Sequence, residues 1–126
     1  MRETVIKTYG LTKQYGKTMA LDHVDITIQR GDIYGLVGDN GAGKTTFLKL
    51  ITGMIFPSEG ETELLGNHTM REQEKVRCRI GAMIENAAFY EQMTVERNLE
   101  YYRIQRGIPG KDCVEEVLAL TNLTQH

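Results

Sequence analysis

The stretch Gly38-Asp39-Asn40-Gly41-Ala42-Gly43-Lys44-Thr45 constrains this chain more than any other. It fits the pattern G-x-x-x-x-G-K-[ST] at every fixed position, and each position has a physical reason. Glycines at 38, 41 and 43 let the backbone curl until successive N–H groups point inward, where they can meet phosphate oxygens. A helix opening from the loop adds unpaired N–H donors and the positive end of its dipole. Lys44 brings a full charge to β and γ phosphates, and Thr45 a hydroxyl, the hard oxygen that Mg²⁺ prefers. With average residue usage the pattern arises by chance in about one chain of this length in a few hundred.

The flanking residues supply the required context. Ile33-Tyr34-Gly35-Leu36-Val37 is a short continuous apolar run, which predicts a strand covered on both faces. After Gly43, Phe47, Leu48, Leu50, Ile51 and Met54 recur at helical spacing, and Gly53 and Pro57 bracket the stop. Upstream, residues 3–9 and 22–29 read as strands. In the second, Val24, Ile26 and Ile28 alternate with Asp25 and Thr27, the pattern of a half-buried antiparallel strand. Downstream, Glu61–Leu65 reads as a strand, and Ile80–Ile84 as another short apolar run. Thr69 with Glu72 matches a capping box that opens a helix over 70–78. Thr94 is placed to cap a helix over 95–106 with Val95, Leu99 and Tyr102 on its apolar side. Arg97 stands where a capping acid would bond back, so that start has half of the motif. Asp112 with Glu115 predicts a further cap, ahead of Val114, Val117 and Leu118. Strand, loop, helix and strand in alternation argue an α/β architecture.

Composition narrows the classes. At 126 residues the chain fits one domain, and a net charge of −2 gives no broad basic field for nucleic acid or anionic lipid. No apolar run approaches the roughly 20 residues of a membrane helix, and the N-terminus lacks the apolar core of a signal peptide. Cys78 and Cys113 stand alone, the usage expected of a cytoplasmic protein with free thiols. His23, His68 and His126 have no metal-ligand spacing.

Leu11-Thr12-Lys13-Gln14-Tyr15-Gly16-Lys17, Ala20-Leu21-Asp22 and Gly31–Gly38 resemble the opening of ABC-transporter ATPase subunits. So do Asn40–Thr46, Leu50-Ile51-Thr52-Gly53, Pro57–Glu61, Ile80–Glu85 and Met93–Leu99, so the resemblance spans nearly the whole chain. It implies a P-loop NTPase core of ABC type with an antiparallel β subdomain, residues 1–126 being its N-terminal part. A helical subdomain would begin at about residue 90 and be incomplete. It implies that Gly38, Asp39, Asn40, Gly41, Ala42, Gly43, Lys44, Thr45 and Thr46 hold ATP, Thr46 at the α phosphate. Tyr15 would stack on the adenine, flanked by Ala20; the alternative for Tyr15 is a tyrosine on a surface turn. An aromatic face suits the first role because it gives affinity with little base discrimination. Asp39 is compatible with a phosphate cradle only if its side chain points outward.

Glu85 falls where most of the family carries glutamine, near the Mg²⁺ and the attacking water. Glutamate there, followed by Asn86-Ala87-Ala88-Phe89-Tyr90, resembles the bacitracin and lantibiotic exporter branch. By that resemblance Lys44 and Glu85 are catalytic and Thr45 and Glu85 metal ligands; an ordinary surface glutamate is the alternative. The resemblance further implies a separate membrane-spanning subunit, a second ATP-binding subunit, and a place on the cytoplasmic face of the membrane. Three elements it also implies are absent from the 126 residues: a Leu-Ser-Gly-Gly-Gln-type signature, a strand ending in a Mg²⁺-binding aspartate and catalytic glutamate, and a switch histidine. The expectation is an ATP-binding part of an exporter ATPase, inactive in hydrolysis by itself. A soluble ABC protein acting on ribosomes or DNA, and a nucleotide-binding remnant without catalysis, are the competing possibilities.

Overall fold

Strand β1 (Thr4–Tyr15) is long enough to pair with three others, and it does so in antiparallel fashion throughout: β2 (Thr18–Val24), β3 (Thr27–Gln29) and β4 (Glu59–Leu64). The computed structural model describes residues 2–39, 41–85 and 88–124, which fall in two compact units, residues 1–85 and 86–126. In the first unit, Leu11 to Tyr15 pair with β2, Thr4 to Lys7 with β3, and Ile6 to Thr12 with β4. The strand expected over 3–9 therefore runs on to Tyr15, and the one expected over 22–29 breaks in two. The break lies at Asp25-Ile26 because β1 claims both residues. Thr8 Oγ1 accepts from the Ile26 N–H at 2.9 Å and donates to the Val24 carbonyl, and Asp25 Oδ1 accepts from the Gly10 N–H at 2.6 Å. The alternation survives the break: Val24, Ile26 and Ile28 are half-buried, Asp25 and Thr27 exposed.

Helix α1 (Lys44–Ile51) lays Phe47 and Leu50 on Leu11 and Leu21 of the sheet, with Ile51 and Ile55 closing the cluster. Each such side chain contributes about 1.5–3 kcal/mol when fully buried. Gly53 ends the helix in the left-handed region, its N–H donating to the Leu50 carbonyl and that of Met54 to the Lys49 carbonyl. The Arg77 guanidinium lies where a Gly53 side chain would begin, and its Nε is buried with no partner among the described residues. Arg77 follows α2 (Met70–Val76), which carries the expected capping box: Thr69 Oγ1 accepts from the Glu72 N–H and the Glu72 carboxylate from the Thr69 N–H, both at 3.2 Å. The helix stops at Val76 rather than 78 and tightens into a 3₁₀ turn, Arg77–Arg79.

The expectation for Ile33–Val37 is corrected. These residues form no strand, and Ile33 and Val37 are fully exposed, at 103% and 97%; only Leu36 of the run is half-buried. Ile80–Ile84 likewise forms no strand. A two-face-covered strand needs neighbours on both edges, because its backbone N–H and C=O groups have no partners within the strand itself. Apolar content cannot substitute for a neighbour. With Val5, Leu48, Ile51 and Leu64, residues 80–84 border an open, largely apolar groove of about 460 Å³.

In the second unit, α3 (Val95–Gln105) starts at Thr94, whose hydroxyl accepts from the Arg97 N–H, with no acid returning the bond. The buried Asn98 fixes the preceding turn: its Oδ1 accepts from the Tyr90 N–H at 2.8 Å and its amide donates to the Tyr90 carbonyl at 3.1 Å. Helix α4 (Asp112–Leu120) buries Val114 and Leu118. The cap expected at Asp112 is a second correction. Lys111 is the N-cap and makes no side-chain bond, so Asp112 and Glu115 sit inside the first turn, where they face the positive end of the dipole. Arg103 grips Glu100 through Nε at 2.9 Å and a terminal nitrogen at 2.5 Å, hydrogen bonding that holds the Glu100 carboxyl below its ordinary value.

An exposed apolar run with unpaired backbone edges is a template for another chain. We expect this chain to self-associate with rising concentration, and Ile33→Lys with Val37→Lys to reduce it. Light scattering from micromolar to millimolar protein checks this, and a clean wild-type monomer throughout would count against it.

Candidate functional site

Helix α1 starts differently from α2 and α3. Its N-cap, Gly43, has no side chain to give, and no acid stands in its first turn. The first loop-to-helix bond runs from the Phe47 N–H to the Gly43 carbonyl at 2.8 Å. The N–H groups of Gly43, Lys44, Thr45 and Thr46 thus have no acceptor among the described residues, the four orphan donors every helix start presents. Together with the helix dipole they form a binding point for an anion.

Gly43 is required there. It sits at φ 100°, and an added Cβ would stand 2.4 Å from the Ala20 carbonyl oxygen and 3.2 Å from Leu21 Cδ1. The loop is therefore pressed against β2, with no space between for a methyl group. Gly41 is also left-handed, at φ 87°. The Ala42 N–H donates to the Asp39 carbonyl at 3.0 Å, closing the loop on itself. Lys44 Nζ donates to the Gly38 carbonyl, so the ammonium arches over the loop that precedes it. Asp39 is exposed, while Lys44, Thr45 and Thr46 are half-buried; Asn40 lies outside the described residues.

Ala20 is thus brought against the loop directly. Tyr15 lies on the same β1–β2 hairpin, paired with Thr18, its ring half exposed. Lys13 Nζ stands 5.1 Å from the ring centroid and donates to the Phe56 carbonyl at 2.7 Å. The sequence signal for this neighbour is plain in retrospect, since residues two apart on a strand share a face. Glu85 ends the 80–84 segment, exposed and at φ 64°; it makes no hydrogen bond or ion pair among the described residues. The Asn86-Ala87 that follow it lie outside the described residues. The donor set fits a polyphosphate with Mg²⁺: orphan N–H groups and an ammonium for the phosphates, the Thr45 hydroxyl for the metal.

Residues 21–126 match the family model described as ABC transporter. The bacitracin transport ATP-binding protein BcrA of Bacillus licheniformis is 40% identical over 123 residues, 98% of this chain and 40% of its own length. The probable multidrug ABC transporter ATP-binding protein YbhF of Escherichia coli is 37% identical over 115 residues, 91% of this chain and 20% of its own. A solved structure described as the ATP-binding subunit of an ABC transporter superposes with a TM-score of 0.81 at 25% identity, covering 98% of this chain and 52% of the other. This chain spans at most about 40% of the length of these two sequence relatives.

Gly43→Ala places a methyl group on the Ala20 carbonyl in a backbone conformation that alanine resists. We expect a loss of about 1–3 kcal/mol in stability, the scale of such strain, read from urea unfolding. Wild-type stability in this variant would mean that the loop does not pack on β2 as described.

Proposed function

Because this chain belongs to the ABC transporter family of ATP-binding proteins, we propose that it binds Mg²⁺-ATP through Gly38–Thr46, as part of the ATPase subunit of an exporter. The observation that carries the reading is the uncapped start of α1, with four N–H donors that have no acceptor among the described residues and the Lys44 ammonium turned back to the Gly38 carbonyl. In this reading the loop N–H groups and Lys44 take the phosphates. The Thr45 hydroxyl would hold Mg²⁺, which when bound supplies charge that offsets the phosphates. Thr46 reaches the α phosphate, Tyr15 receives the adenine face, and Ala20 flanks the base. Glu85 acts near the γ phosphate. The exporter assignment rests on the relatives, one named for bacitracin transport and one for multidrug transport. In the same reading the complete subunit works as a pair with a second ATP-binding subunit, on the cytoplasmic face of the membrane, driving a separate membrane subunit.

Phosphoryl transfer relies on charge stabilisation and a positioned water. The groups expected to position that water, the glutamate after an apolar strand and the signature motif, are not among these 126 residues. ATP turnover by this chain alone should therefore be close to nil.

Two measurements test the proposal. By calorimetry, Lys44→Ala should weaken ATP binding by about 1–3 kcal/mol, the value of hydrogen bonds to a charged group; equal affinity in both proteins would sink the assignment. Glu85→Gln keeps an oxygen ligand and removes one charge, so ATP affinity should move by no more than about 1 kcal/mol. In the full subunit with its membrane partner, the same change should alter stimulated hydrolysis or transport more than binding. A loss of ATP binding as deep as that of Lys44→Ala would instead place Glu85 in the cradle.

A further inference from the structure

We infer that Lys13 is a positioning residue for the nucleobase: it covers one face of the Tyr15 ring and leaves the other for a purine. The inference rests on the proposed role of Tyr15 and extends it to a residue that does not touch the ligand.

Lys13 and Tyr15 are two apart on β1, so their side chains leave the strand toward the same side. The Lys13 ammonium stands 5.1 Å from the ring centroid, within the range at which a cation is held by the negative face of an aromatic ring. A lysine on an exposed strand ordinarily samples many rotamers. This one is tied at its far end, because Nζ donates to the Phe56 carbonyl at 2.7 Å. The segment that holds it is itself fixed to β1: the Ser58 N–H donates to the Thr12 carbonyl at 2.8 Å, and the Gln14 N–H donates to Ser58 Oγ at 2.9 Å. The ring is thereby restrained from one side by a tethered cation. A planar base has one open face left to stack on, and a ring that is already held loses less freedom when it does so.

The same strand provides a comparison. Lys7 Nζ stands 5.0 Å from the Tyr9 ring with the same two-residue spacing. Tyr9, however, spends its hydroxyl on Glu63 Oε2 at 3.0 Å, and both Lys7 and Tyr9 lie in the part of β1 that pairs with β4, outside the Leu11–Tyr15 stretch that pairs with β2. If a lysine over a tyrosine were only a surface habit of this strand, the two pairs would behave alike toward nucleotide.

The test compares ATP with inorganic tripolyphosphate, which has the phosphates and no base, by calorimetry on the whole chain. Lys13→Met should weaken ATP by about 2–5-fold, the scale of an exposed cation–π contact, and leave tripolyphosphate unchanged. Lys13→Arg should restore ATP affinity, and Lys7→Met should alter neither ligand. Tyr15→Ala should also weaken ATP alone, and adding Lys13→Met to it should cost nothing more. Unfolding midpoints confirm that each variant is folded. An equal loss for both ligands in Lys13→Met would make the ammonium a general attractor of phosphate and overturn the inference. So would unchanged ATP affinity in Lys13→Met, or a loss that persists undiminished on the Tyr15→Ala background. Failure of the underlying site has a separate signature, since Lys44→Ala would then leave both ligands bound as in the wild type.

Discussion

The contact between Gly43 and the Ala20 carbonyl is the constraint on which the site depends. It joins the phosphate loop to the antiparallel sheet with no space for a side chain between them. The same contact sets where α1 begins, and so where the N–H groups that lack an acceptor among the described residues collect. Phe47 and Leu50, one and two turns along, then meet Leu11 and Leu21 from the sheet. The apolar core and the anion-binding end are consequences of one docking geometry. A capping side chain at the helix start would have stabilised α1 and consumed the donors that make it useful. α2 and α3 show the usual solution, with Thr69 and Thr94 as caps; α1 leaves its start open.

Support for the hairpin comes from the far end of α1. The helix stops at Gly53, and the chain returns through Phe56 and Ser58 to hydrogen-bond with Thr12, Lys13 and Gln14 of β1. The segment that closes the helix therefore also fixes the end of β1 that bears Tyr15. At the same helix end, Arg77 packs onto Gly53 from the turn after α2. That turn leads into residues 80–84 and to Glu85, so both ends of α1 are tied to residues expected to meet nucleotide.

The two apolar runs, Ile33–Val37 and Ile80–Ile84, obey a different rule. Helices α1 and α3 satisfy their backbone hydrogen bonds internally, and their hydrophobic spacing was enough to locate both of them. A strand satisfies its hydrogen bonds only across to a neighbour. In this chain β1 has three antiparallel neighbours, β2 and β3 soon after it and β4 on the far side of α1, and all three pairings form. The runs at 33–37 and 80–84 have no strand beside them among the described residues, and they form no strand themselves.

Much of the site was legible in the sequence because the loop's chemistry is local. The spacing of Gly38, Gly43, Lys44 and Thr45 is fixed by the reach of a few residues, and the Thr69–Glu72 and Thr94 caps are likewise decided within one turn. The sequence by itself determined the loop, the helices and the alternation of Val24, Ile26 and Ile28. What it could not show was which backbone group would face which. The break at Asp25-Ile26 was decided by the Thr8 hydroxyl, sixteen to eighteen residues away. The absence of a cap at Asp112 was decided by where the helix actually turns. The need for glycine at 43 was decided by Ala20, and the tether on Lys13 by Phe56, forty-three residues on. These contacts join residues far apart in the chain, and only the folded backbone brings them within hydrogen-bonding or van der Waals range.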